Sequence, residues 1–145
     1  MRFMMLMIPK GYETAPPGTI PDGEAIDAMT KYNEVLQKAG VLLALDGLHP
    51  PSMGARVSFA GGKPTVKDGP FAEAREVLGG YWMIQVKSKD EAVAWMKRAP
   101  FADGTVLEIR QVFEADDFGP ALTPELREQE ERLRAQGAAS HLKSV

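Results

Sequence analysis

His49 is the first residue in this chain whose type suggests chemistry. Only histidine titrates unperturbed near neutrality, so it is the default acid–base candidate; the competing reading is a turn histidine that makes a hydrogen bond and does no chemistry. It lies in Asp46-Gly47-Leu48-His49-Pro50-Pro51; the only other histidine, His141, is four residues from the C-terminus. A carboxylate to orient it is offered by Asp68, at the head of Asp68-Gly69-Pro70-Phe71. Aspartate opening a turn is also an ordinary backbone acceptor, so both readings stay open. Cations suited to an anionic substrate follow the same pattern. Arg56 sits on a strand-like stretch, Arg75 just after the Asp68 turn, and Arg110 near the end of the last apolar run. Arginine's planar fork matches carboxylates and phenolates. Glu73 and Glu76 flank Arg75, on what reads as a one-turn helix; a plain surface ion pair is the competing reading there. Glu108 and Arg110 share one side of a strand with Val106 and Val112, so that side is expected to be half-buried and Arg110 to need a partner other than Glu108. Tyr81, Trp82 and Trp95 either stack on an aromatic ligand or pack the core.

The elements that must position these residues follow from periodicity. Arg2 to Ile8 is almost wholly apolar and reads as a central strand buried on both faces. Asp22 caps a helix over about Gly23–Ala39, with Ile26, Met29, Asn33, Leu36 and Ala39 on one face and Gly40 as its stop. Val41 to Leu45 is a short strand. Ala55–Phe59 and Lys63–Lys67 form a hairpin about Gly61-Gly62. Tyr81–Val86 is a strand, Ser88-Lys89-Asp90-Glu91 a capping box, and Pro100 closes the helix it opens. Thr105–Phe113 is the last strand. Strand, helix, strand, hairpin, strand, helix, strand is an α+β order. Its simplest packing is a ferredoxin-like antiparallel sheet with both helices on one face and an added β-hairpin. The other sheet face then needs cover, which a homodimer supplies.

Residues 1–118 are read as this domain and 119–145 as a C-terminal extension. Thr123-Pro124 opens its charged helix, Glu128 with Arg132 and Glu130 with Arg134 stand in the favourable order, and the residues after Gly137 read as frayed.

Composition excludes several function classes. There are 145 residues, 44% hydrophobic, enough for one packed domain. The net charge of −3 gives no electrostatic case for nucleic acid or an anionic membrane. No cysteine is present, which removes thiolate chemistry and disulfides and points to a cytoplasmic setting. The apolar start is too short for a signal peptide, and no run reaches a membrane span. No phosphate-binding glycine loop or serine elbow occurs, and one histidine among scattered carboxylates is a poor transition-metal site. Neither metal nor organic cofactor is expected.

Asp68-Gly69-Pro70-Phe71-Ala72-Glu73, Arg75-Glu76 and Gly79-Gly80-Tyr81 together resemble the signature of the DGPF proteins of the YCII-related family. The resemblance extends to Gly40-Val41-Leu42-Leu43, Gly47-Leu48-His49-Pro50 and Glu108-Ile109-Arg110, and so covers Met1 to Phe113. Ala74 stands where threonine is usual and Arg75 where lysine is usual. The resemblance implies a ferredoxin-like fold that dimerises into an α/β barrel. It also implies kinship with muconolactone isomerase and with a branch that removes chloride from a chlorinated hydroxyquinol. That branch uses a histidine–aspartate pair whose histidine is in the first helix, where this chain has Tyr32 and Asn33. The chemistry then expected is cofactor-free proton transfer, isomerisation or elimination on an anionic or phenolic substrate, carried by His49 and Asp68. The alternative is a non-catalytic accessory protein beside a sigma factor of the extracytoplasmic-function type, because such genes often neighbour this family.

Overall fold

A computed structural model describes residues 1–141. The chain divides into two compact units, one over Met1–Val112 and one beginning at Phe113. The larger unit runs β1 (Arg2–Ile8), α1 (Gly23–Lys38), β2 (Leu42–Gly47), β3 (Ala55–Ala60), β4 (Lys63–Asp68), β5 (Gly80–Gln85), α2 (Lys89–Met96) and β6 (Val106–Gln111). Four strands make one antiparallel sheet in the order β2-β5-β1-β6; β3 and β4 pair only with each other. Without the hairpin, this is the strand order of the ferredoxin-like plan.

Local signals start both helices as the sequence predicts. The Asp22 carboxylate accepts from the Ala25 amide at 2.8 Å and opens α1. Ser88 Oγ accepts from the Glu91 amide at 3.1 Å and opens α2. The Glu91 carboxylate reaches past the cap to the Lys87 amide, at 2.8 Å. α2 ends earlier than Pro100 suggests. The Arg98 and Ala99 amides bond three residues back, to Trp95 and Met96, which tightens the last turn.

Both helices cover one face of the sheet. Phe3 and Met5 of β1, Trp82 and Ile84 of β5, Tyr32 and Leu36 of α1, and Ala92 of α2 form the core. Trp82 is its centre, edge-on to Tyr32 and to Phe101, with centroids 6.2 and 5.9 Å away. β1 is central, yet it is not buried on both faces as its unbroken apolar run implies. Phe3 and Met5 are buried, whereas Met4 and Leu6 are only half-buried. Side chains alternate across a strand, and nothing in this unit lies over the second face.

The hairpin is exposed along its whole length. Register pairs Val57 with Val66 and Phe59 with Pro64, so one side of the ribbon is apolar.

In the second unit, a 3₁₀ segment over Ala115–Ala121 is interrupted at Gly119, where φ is 51°. The Thr123 hydroxyl caps α3 (Pro124–His141) by accepting from the Leu126 amide at 3.3 Å. Hydrogen bonds from the Glu125 backbone amide, and then from the Thr123 hydroxyl, hold the Glu125 carboxyl below its usual range. Arg127 meets Asp116 at 3.1 Å and Arg134 meets Glu130 at 3.4 Å. α3 continues through Gly137 to His141, where the sequence suggests fraying; that expectation for residues 142–145 lies outside the described residues. No helix among the described residues is long and apolar enough to cross a membrane.

Candidate functional site

The loop that carries His49 is held from three sides. The Leu48 amide donates to the Gly79 carbonyl at 2.9 Å, which extends the β2–β5 ladder by one residue. The Tyr12 hydroxyl donates to the Leu48 carbonyl at 2.6 Å. Pro50, just after His49, is fully buried. The loop is thus a rigid support for an exposed imidazole, which suits a site better than a free loop would. Tyr12 is a positioning residue with no signature in the sequence; burial pushes its phenol above the ordinary value.

The Asp68–Phe71 turn docks on the same loop. The Gly69 amide donates to the Gly54 carbonyl at 2.8 Å. A side chain at Gly69 would collide with the Pro51 carbonyl, whose carbon is 2.7 Å from where a Cβ would stand. The Gly69–Pro70 peptide is cis. Phe71 is buried, and the Arg56 guanidinium lies 4.0 Å above the centre of its ring. Two residues of the turn therefore have structural roles: glycine for close approach and phenylalanine as an anchor.

Gly79 is constrained in a similar way. A Cβ there would lie 2.8 Å from Pro9 Cγ and 3.0 Å from Met7 Cε.

These contacts enclose a hollow of about 560 Å³, lined by His49, Arg56, Phe71 and Glu76 with Met53 and Leu78. Among the described residues, neither Arg56 nor Glu76 forms an ion pair, and His49 makes no hydrogen bond. Stacking on Phe71 occupies one face of the guanidinium and leaves its in-plane N–H donors open. An arginine, a histidine and a carboxylate thus share one hollow without neutralising one another. Such a set can hold a flat anion and exchange a proton with it.

The remaining predicted residues are placed elsewhere. Asp68 ends β4 opposite Ala55 and is exposed; no hydrogen bond joins it to His49, and none ties it to a backbone amide, among the described residues. Glu73 and Arg75 are not on a helix. The chain from Phe71 to Glu76 is a turn with one backbone bond, from the Ala74 amide to the Phe71 carbonyl at 3.0 Å, which is too few to make a helical turn. Arg75 is exposed and forms no ion pair with Glu73 or Glu76, contrary to the surface-pair reading. Arg110 is not half-buried either: its side chain is 72% exposed and meets Glu108 at 3.6 Å. The strand does alternate, but its outer side is the uncovered sheet face, so the pair is solvated and contributes little. Tyr32 and Asn33, which stand in α1 where the resemblance would put a histidine, are committed to the core. The Tyr32 hydroxyl donates to the Trp95 carbonyl at 2.8 Å, and Trp82 Nε1 donates to Asn33 Oδ1 at 2.8 Å.

One pair escaped the sequence reading. The Tyr81 hydroxyl donates to the Asp46 carboxylate at 2.6 Å on the uncovered face, and this bond holds the Tyr81 phenol above its ordinary value. The two residues are directly opposite in the β2–β5 register, a relation visible only once the strands are paired.

Fold and hollow together define an antiparallel α+β protein of ferredoxin-like plan, with an arginine-bearing hollow at the end of its sheet. The YCII-related domain matches residues 1–116, and the chain belongs to that family. It is also similar to an uncharacterized protein of Rhizobium meliloti (strain 1021), 39% identical over 56 residues, which is 39% of this chain. The matched stretch spans 45% of that relative's length.

Proposed function

We propose that the chain binds a small, flat anion, a carboxylate or phenolate on an aromatic ring, in the hollow between His49 and Arg56. The observation that carries this reading is the unpaired guanidinium of Arg56, stacked on Phe71 in the same hollow as His49. His49 is the group that exchanges a proton with the ligand, without a cofactor, in a proton transfer, isomerisation or elimination. Asp68 orients His49 when the ligand is bound, with Glu76, already in the hollow, as the rival for that role. Glu73 and Arg75 come between Phe71 and Glu76 in the chain and are proposed as rim groups. The test is an NMR titration with benzoate and phenolate analogues, following the His49 ring signals. Saturable shifts that weaken at least tenfold in Arg56→Gln support the reading. Shifts that are absent, or equal in wild type and Arg56→Gln, overturn it. A comparison of Asp68→Asn with Glu76→Gln then shows which carboxylate orients the ring.

The same reading includes a homodimer that closes an α/β barrel over the second sheet face, with Arg110 and Glu108 inside it. Half-buried Met4, Leu6 and Met83, with no helix above them, support this. Light scattering should give twice the chain mass, and a monomer at micromolar concentration would count against it.

A second reading, an accessory protein in signalling, is supported by Leu126 and Leu133. They stand seven residues apart and about half-exposed, at 47% and 56%, on the charged α3. Truncation after Gly119 should then abolish partner binding and leave the larger unit folded.

A further inference from the structure

His49 and Leu48 line a second hollow as well. It has a volume of about 410 Å³, and its other walls include Met7, Tyr12, Ile20 and Gly79. The two hollows differ in character. Arg56 and Glu76 give the first its charged groups. The second has no Asp, Glu, Lys or Arg in its lining, and its one phenol, Tyr12, already donates to Leu48. Ile20 stands at its rim with 75% of its surface exposed and no apolar neighbour covering it. Leu48, also exposed, is part of both walls.

From this juxtaposition we infer that the ligand is an amphiphilic anion. Its head is held by Arg56 and its apolar tail crosses Leu48 to lie against Met7, Tyr12 and Ile20. The inference rests on the anion-binding reading of the first hollow and names the substrate class more closely: an aryl or acyl carboxylate with an apolar extension, in place of a bare aromatic acid. His49, at the junction, would act at the atoms next to the head group. Two features argue for one ligand spanning both hollows. The second hollow has no cation to anchor an anion, and its Thr19 and Tyr12 hydroxyls already donate to the Pro16 and Leu48 carbonyls, whereas the first has Arg56; Leu48 and His49 line both and so join them. A tail gains from burial at every methylene, whereas a second independent ligand would lack an anchor.

The experiment is a homologous series: butanoate, hexanoate and octanoate, with benzoate and 4-phenylbutanoate, titrated below their micelle concentrations against the full chain by NMR. Burial of one methylene corresponds to about fourfold in affinity, so octanoate, four methylenes longer, should bind about 250-fold more tightly than butanoate. Ile20→Asn, on an exposed loop, should flatten that series. Arg56→Gln should weaken every member. Equal affinity across the series, with benzoate still bound in an Arg56-dependent way, would overturn this inference and leave the simpler reading standing. No binding by any member would overturn both.

Discussion

The helix-covered core and the His49 end of the sheet use the same kinds of side chain in opposite ways. In the core every polar group has a protein partner: Tyr32 has the Trp95 carbonyl and Trp82 has Asn33. At the sheet end Arg56, His49 and Glu76 share a hollow and, among the described residues, their side chains form no ion pair or hydrogen bond with the protein. Burial explains the first. An unpaired N–H in the core would carry a desolvation cost of about 1–3 kcal/mol, so the fold must satisfy it internally. Solvent explains how the second is tolerated: water pairs with those groups, and a ligand can replace the water. Polarity alone therefore marks no site. Polarity that the fold leaves open does.

The contrast would break most severely at Gly69, where the open hollow depends on close backbone packing. Gly69→Ala places a methyl group against the Pro51 carbonyl. We expect a loss of at least ~3 kcal/mol, read by urea denaturation, since backbone cannot yield as a side-chain tip does. A loss under ~1 kcal/mol would show that the turn is not docked on the His49 loop as described.

Next comes the core. Asn33→Leu leaves the Trp82 indole N–H without its acceptor and should cost about 1–3 kcal/mol, with a changed tryptophan emission. If Asn33→Leu is neutral, the core tolerates open polar groups and the contrast loses its basis.

Alkaline pH sharpens the comparison without a large change in structure. Burial pushes the Tyr32 phenol up to about 12, with Arg98 opposing weakly. The folded value is above the unfolded one of about 10, so the folded state keeps a proton that the unfolded chain releases. The stability this contributes is complete below about pH 10 and is lost as pH rises towards 12. Denaturation curves from pH 9 to 12 should therefore fall more steeply for wild type than for Tyr32→Phe. Equal slopes would show that Tyr32 is not held neutral by the core. The smallest stability effect belongs to the hollow itself: Arg56→Gln should change stability by under ~1 kcal/mol, because among the described residues the exposed Arg56 side chain forms no ion pair and gains its stack on Phe71. Its effect should be on anion binding. A loss well beyond 1 kcal/mol would make Arg56 a structural residue.

Much of the fold is legible in local sequence. Asp22 and Ser88 announce their helices, Gly61-Gly62 announces its hairpin, and alternation in Tyr81–Val86 assigns its buried face. These signals are legible because caps, turns and strand alternation act over two to four residues, within reach of the chain's own neighbours. Glu108 and Arg110 were misjudged because strand alternation shows that two faces exist and does not show which one a helix covers. The meeting of His49, Arg56, Phe71 and Glu76 had no local trace. It depends on Gly69 fitting against Pro51, on Tyr12 reaching Leu48 and on the β2–β5 register, all contacts between residues far apart in sequence. The sequence alone determined the elements, the α+β order and the residue types able to do chemistry. Only tertiary packing decided which of those residues share a hollow and which charges are left open, because each such decision is a contact the chain makes with a distant part of itself.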